Sequence, residues 1–156
     1  MKKWFNLKAT AKATEISIFD EIGAYGVSAA SFLSAVKADT TKTINLEINS
    51  FGGDVFAGIA MYNGLMNARA EGKTVNVKIM GIAASAASLV AMAGDTIAMP
   101  ANTMMMAHNP WTFALGTADE LRGTADVLEK IQNSLVAIYA KRTGRTLEDV
   151  SAILKA

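Results

Sequence analysis

Apolar and polar residues alternate in three stretches of this chain, residues 15–19, 44–48 and 75–80. That period of two predicts half-buried β-strands. Helical spacing separates them. Val27, Ala30, Phe32, Leu33 and Val36 fit one helical face, which Asp39-Thr40-Thr41 breaks. Val55, Ile59, Tyr62, Leu65 and Met66 share another, closed by Gly72. After the third strand comes Gly81-Ile82-Ala83-Ala84-Ser85-Ala86-Ala87-Ser88, a turn of small residues. The apolar segment 89–93 that follows, ended by Gly94, predicts a short helix. Residues 96–99 and 103–107 predict two short strands around Pro100. From 118 to 141 the pattern predicts a long amphipathic helix, with Leu121, Ala125, Leu128, Leu135 and Ile138 near one side and Glu120, Arg122, Asp126, Glu129 and Lys130 on the other. Lys141-Arg142-Thr143-Gly144 is a helix end. Thr146 caps a last helix, with the acid Asp149 three residues on. Residues 1–13 are basic and weakly patterned, and are expected to form an extended or mobile arm. Strands alternating with helices predict an α/β fold, with all 156 residues in one domain.

Composition narrows the function classes. The net charge of +1 gives no electrostatic footprint for nucleic acid or an anionic membrane. No run reaches the length of a membrane span. The first residues lack the apolar core of a signal peptide, so a cytoplasmic location is expected. With no cysteine and a single histidine, neither a disulfide framework nor a transition-metal site is expected, and no motif calls for a cofactor. Nine methionines and many alanines predict extensive helix packing and a subunit interface.

Three places could carry chemistry. Gly52-Gly53 follows a buried strand, and adjacent glycines reach backbone conformations closed to other residues. They read as a tight strand-to-helix turn, or as an oxyanion loop and peptide-docking edge with the Gly53 N–H as donor. A phosphate loop is disfavoured, because no Gly-Lys-Ser/Thr follows. Ser85 stands where a strand turns into a helix, among residues too small to cover it. Such a serine is ordinarily a helix cap; placed there, it could instead be a nucleophile beside the free N–H groups of a helix start. Ser88, one turn on, is expected to be packed or bonded to backbone. His108 is the only imidazole, and Asn109-Pro110 after it puts it at a strand end, where sites of parallel sheets gather.

Three blocks in these places, Ile48-Asn49-Ser50-Phe51-Gly52-Gly53-Asp54-Val55, Gly81-Ile82-Ala83-Ala84-Ser85 and Met105-Met106-Ala107-His108-Asn109-Pro110, resemble the signatures of the ClpP serine peptidases. The Ala-Ala-Ser-Ala-Ala-Ser form, Asp54-Val55-Phe56-Ala57-Gly58 and Asn109-Pro110-Trp111 are most similar to the phage branch, the head-maturation (prohead) proteases. The resemblance runs from about Trp4 to the last residue. It implies the ClpP/crotonase spiral of β-β-α units with a protruding handle helix at 118–143. It implies Ser85 as nucleophile, His108 as general base, and the N–H groups of Gly53 and Ala86 as the oxyanion hole. Gly52 and Phe51 would bind substrate; Phe51 stands where the wider family has proline, which implies a less rigid loop with a ring lining the cleft. The implied activity is serine endopeptidase chemistry on polypeptides in a homo-oligomeric ring, with capsid or scaffold proteins as partners in the host cytoplasm or procapsid. Counted along the family pattern, the triad carboxylate falls at or just past the residue after Ala156, and the closing strand-and-helix segment is missing too. Two rivals follow: a catalytically impaired or non-catalytic assembly protein, and a crotonase-type enzyme acting on acyl-CoA.

Overall fold

The computed structural model describes residues 7–9 and 13–155. The chain forms two compact units, one up to Met106 and one from Ala107 on.

The first unit is built on a six-stranded sheet. Strand β1 (Leu7–Ala9) pairs antiparallel with β2 (Thr14–Ile18). So Leu7–Ala9, in the segment expected as an extended or mobile arm, is a paired strand; residues 1–6 and 10–12 lie outside the described residues. All other pairings are parallel: β2 with β3 (Thr43–Ser50), and β3 with β4 (Thr74–Ala84). Strand β4 then takes two partners end to end. β5 (Thr96–Ala98) lies beside Asn76–Lys78, and β6 (Met104–Met106) beside Ile82–Ala84. The alternation read from the sequence is the burial pattern: Ile16, Ile18, Ile44, Leu46, Ile48, Val75, Val77 and Ile79 are all buried.

Three helices connect these strands: α1 (Ala29–Ala38), α2 (Val55–Ala70) and α3 (Ala86–Ala91). Helix α1 starts two residues later than its apolar spacing predicts. Ser28 caps it, accepting the Ser31 N–H, and Val27 bridges to Ile22 instead. Helix α2 packs on α1, α3 and β4. Surrounded in this way, it buries Gly58, Met61, Tyr62, Leu65 and Ala68, while Val55, Ile59 and Met66 of the predicted face are only half-buried.

The second unit contains α4 (Ala118–Thr143) and α5 (Leu147–Lys155). Thr117 and Glu120 form a reciprocal capping box at the start of α4, and Gly144 ends it in the left-handed conformation, φ 71°. At 26 residues α4 is roughly 39 Å long. Only its later part is buried, at Leu135, Val136, Tyr139 and Ala140, where the helix meets Val150 and Leu154 of α5. Leu121 and Val127 remain exposed.

One polar node holds the start of the sheet. The Asp39 carboxylate, which ends α1, accepts from Thr14 Oγ1 (2.6 Å), the Thr41 N–H (2.8 Å) and Lys73 Nζ (2.9 Å). Lys73 also donates to the carbonyls of Asp39 and Thr41, both at 2.7 Å. The Asp39 side chain is fully covered. Burial pushes its carboxyl upward, but the hydrogen bonds from Thr14, Lys73 and Thr41 outweigh that and hold it at about 2. Sequence patterning saw here only a helix break.

Asp39→Ala strands the Lys73 ammonium, so it is expected to lower unfolding free energy by about 3 kcal/mol in a urea titration at neutral pH. The depressed carboxyl gives stability that is present above its ordinary value of 3.8 and is lost as pH falls toward about 2. The difference between the wild-type chain and Asp39→Asn should therefore narrow across that window. A constant difference would contradict the assignment.

Candidate active site

Ser85 is the single residue between β4 and α3. Its backbone sits at φ 52°, ψ −125°, and it is the only non-glycine with positive φ among the described residues. Such a conformation costs about 1–3 kcal/mol and persists only where the surroundings enforce it. Here both backbone groups are engaged. The Ser85 N–H donates to the Met106 carbonyl at 2.8 Å, continuing the β4–β6 ladder through the turn. Its carbonyl accepts from Ser88 Oγ (2.7 Å), the Ser88 N–H (3.0 Å) and the Leu89 N–H (3.2 Å). Ser85 occupies the cap position of α3, yet its side chain makes no capping hydrogen bond. Ser88 is fully buried and bonded to backbone, as expected.

The strand reaches further than the sequence pattern predicts. Gly81 to Ala84 belong to β4, because Ile82–Ala84 have β6 to pair with. Between Ile48 and Ser50 the β3–β4 register shifts: β3 advances two residues while β4 advances four, from Ile79 to Ala83. Asn49 fills the irregularity, its Oδ1 accepting the Ile82 N–H at 3.2 Å. A β-carbon on Gly81 would lie 2.5 Å from that oxygen. The shift brings Ser50 beside Ala83, and so delivers the double-glycine turn to the serine turn.

Contact between the two turns is close. A β-carbon on Gly52 (φ 93°) would lie 2.5 Å from the Ala84 carbonyl oxygen and 2.8 Å from both the Ala86 nitrogen and Ser85 Cβ. One on Gly53 (φ 141°) would lie 2.1 Å from the Ile22 carbonyl oxygen. Both glycines are thus required by conformation and by space. Gly53 forms a parallel bridge with Ile22 through its neighbours: the Ile22 N–H donates to Gly52 O (2.7 Å), and the Asp54 N–H to Ile22 O (2.8 Å). In that pattern the Gly53 N–H points away from Ile22. Among the described residues neither it nor the Ala86 N–H, at the start of α3, has an acceptor.

Ser50 holds the glycine turn in place. Its hydroxyl, on a residue only 2% exposed, donates to the Asp20 carbonyl at 2.6 Å and accepts the Gly52 N–H at 3.1 Å. Asp54 caps α2 by accepting the Ala57 N–H at 2.7 Å. Beside the turn lies a cleft of about 520 Å³, lined by residues 19–21 and 49–53. The Phe51 ring, 80% exposed, stands at its edge.

Of the six residues singled out from sequence, the first unit therefore brings together Ser85, Ala86, Gly52, Gly53 and Phe51. His108 belongs to the second unit, in the segment between β6 and α4, two residues after Met106 in the chain. The next residue is pinned there, its N–H donating to Leu154 O of α5 at 3.0 Å. Sequence reasoning missed the structural work of Asn49, Ser50 and Ile22. Only Ser50 carried a signal: a serine two residues before a glycine can take that glycine's N–H in a local turn. Among the described residues no group of three acidic or histidine side chains could hold a metal ion, and no helix is long and apolar enough to cross a membrane.

No curated protein is similar enough to this chain to count as a match. The family model described as Clp protease, however, matches residues 5–155, nearly the whole chain. Its members are serine peptidases that act on polypeptides and form oligomeric rings. A parallel sheet whose strands alternate with helices is the fold that membership entails. On the extent of that match, with two of the three signature blocks lying at the two apposed turns, the chain belongs to the Clp protease family.

Proposed function

We propose that this chain is the subunit of a serine endopeptidase in which Ser85 is the nucleophile, His108 the general base, and the N–H groups of Gly53 and Ala86 the oxyanion donors. One observation carries the proposal: a strained serine with no capping role stands against a double-glycine turn, beside two amides that have no acceptor among the described residues. His108 takes the Ser85 proton as Oγ attacks the peptide carbonyl, and the oxyanion forms between the two amides. His108 then gives its proton to the leaving amine, and water, activated by the same imidazole, cleaves the acyl-enzyme. The substrate lies extended along the turn 51–53, bonded as an added strand. Met106, which takes the Ser85 N–H, stands two residues before His108 in the chain, and that proximity in sequence supports the pairing. The Ala-Ala-Ser-Ala-Ala-Ser run and Asn109-Pro110-Trp111 favour a phage role, with capsid or scaffold polypeptides as substrates in the host cytoplasm or procapsid.

We also propose a homo-oligomer in which α4 is the handle. Its early turns present Leu121 to solvent, and Trp111, Phe113 and Leu115 of the preceding segment are exposed as well.

A fluorophosphonate probe should label Ser85, as read by peptide mass mapping. Ser85→Ala should abolish labelling, and His108→Ala should slow it by about 10³-fold or more. Labelling of Ser88 or another serine would refute the assignment.

Ser50→Ala should lower kcat about tenfold or more with KM little changed, because the displaced Gly53 amide matters most once the oxyanion forms. A raised KM with kcat unchanged would assign Ser50 to substrate binding instead.

In light scattering the chain should run at a multiple of 16.4 kDa. The double variant Leu121→Asp/Leu128→Asp, placed away from the α5 contact, should return it to the monomer mass. An unchanged mass would exclude that part of α4 from the interface.

A further inference from the structure

The cleft beside the glycine turn has a charge sign that the chain as a whole lacks. Net charge is +1, yet the cleft lining includes two carboxylates, Asp20 and Glu21, and no cationic side chain. Neither carboxylate forms an ion pair with a described residue. Asp20 Oδ1 accepts the Glu21 N–H at 2.7 Å, which ties that carboxylate to its own turn. Glu21 is exposed, and its stem lies against the glycine turn: a β-carbon on Gly53 would be 3.0 Å from Glu21 Cγ. Asp54, close by in sequence, has its carboxylate engaged in capping α2. The cleft is also lined by two exposed aromatic residues, Phe51 and Phe19.

We infer that Glu21 is a specificity-determining residue which selects polypeptides carrying lysine or arginine within two residues of the cleaved bond. The inference rests on the function proposed above. A carbonyl held by the Gly53 N–H fixes the substrate backbone at Gly53. Neighbouring substrate residues then lie only about 3.3 Å apart along the extended chain, so their side chains fall over the adjoining cleft. A lysine or arginine there lays its methylene stem on the Phe51 ring and brings its charged head to Glu21. A glutamate at the same place meets two like charges. The backbone of segment 20–22 positions the glycine turn, whereas the Glu21 side chain is free of that task; substituting the side chain changes the charge and leaves the bridge intact.

Two capped fluorogenic peptides, identical but for Lys or Glu next to the cleaved bond, test the inference. The wild-type chain should show kcat/KM about fivefold higher for the Lys peptide, and added salt should shrink the ratio. Glu21→Gln should reduce the preference, and Glu21→Lys should invert it. Equal kcat/KM values for the two peptides, or a preference unmoved by Glu21→Lys, would overturn the inference while the peptidase assignment stands. If neither peptide is cleaved and Ser85 is not labelled, the peptidase assignment falls. Fluorescence anisotropy with the Ser85→Ala chain then decides the inference alone. The Lys peptide should bind about fivefold tighter, and Glu21→Lys should reverse the order. Equal binding would overturn it.

Discussion

At Gly52 two turns of backbone approach so closely that no side chain fits between them. The close neighbours are the carbonyl of Ala84, the amide of Ala86 and the β-carbon of Ser85, all within 2.8 Å of where a β-carbon would be. The rest of the first unit can be read as the means of holding that approach. Two backbone segments in such contact would exclude water from their polar groups, and each group then needs a protein partner or a role. Most have partners. Among the described residues the amides of Gly53, on the exposed side of the turn, and of Ala86, which is buried, have no acceptor, and both lie at this junction. Donors held in this way beside a strained serine are what the proposed oxyanion role requires, a preorganised pair fixed before substrate arrives.

Several features of the sheet converge on this point. β4 is longer than its alternation predicts because β6 supplies a partner for its last residues. The same ladder runs one residue further, to the Ser85 amide, and holds the serine in a conformation it would otherwise avoid. The register shift at Asn49 moves Ser50 up to Ala83, and Ser50 then clamps the glycine turn to Asp20. From the other side Ile22 bridges to Gly53. Segment 20–22 thus fixes the glycine turn, and β6 fixes the serine turn. Support of this kind is what lets a protein keep local strain at a functional site. At the opposite end of the strands, the Asp39–Lys73 node ties the end of α1 to the loops that open β3 and β4.

Membership in the Clp protease family and the geometry of the first unit meet at the same residues. The cleft adds what membership alone does not supply, a local negative charge beside an exposed aromatic ring. In a chain with nearly balanced charge, two unpaired carboxylates beside the proposed oxyanion donor make the local field, not the net charge, the quantity a substrate meets. The second unit brings the imidazole and a helix of roughly 39 Å whose early turns bury little of their apolar surface.

The sequence by itself determined most of the strands and helices, though not β1, and the residue types of the candidate site. Alternation at 44–48 and 75–80 reported a buried face directly, since a period of two has only one structural meaning there. The glycine pair, the serine among alanines and the lone histidine were visible because each is chemically distinctive. Several features were decided only by tertiary structure. The extension of β4 through Gly81–Ala84 depends on β6, some twenty residues later. The positive-φ conformation of Ser85 is held with its N–H on the Met106 carbonyl. The work of Asn49, Ser50 and Lys73 depends on partners from 2 to 34 positions away. The charge of the cleft appears only when residues 19–21 and 49–53 come together. Periodicity records how each residue divides between core and solvent. It is silent on hydrogen bonds between segments remote in sequence, and in this protein those bonds hold the two turns together.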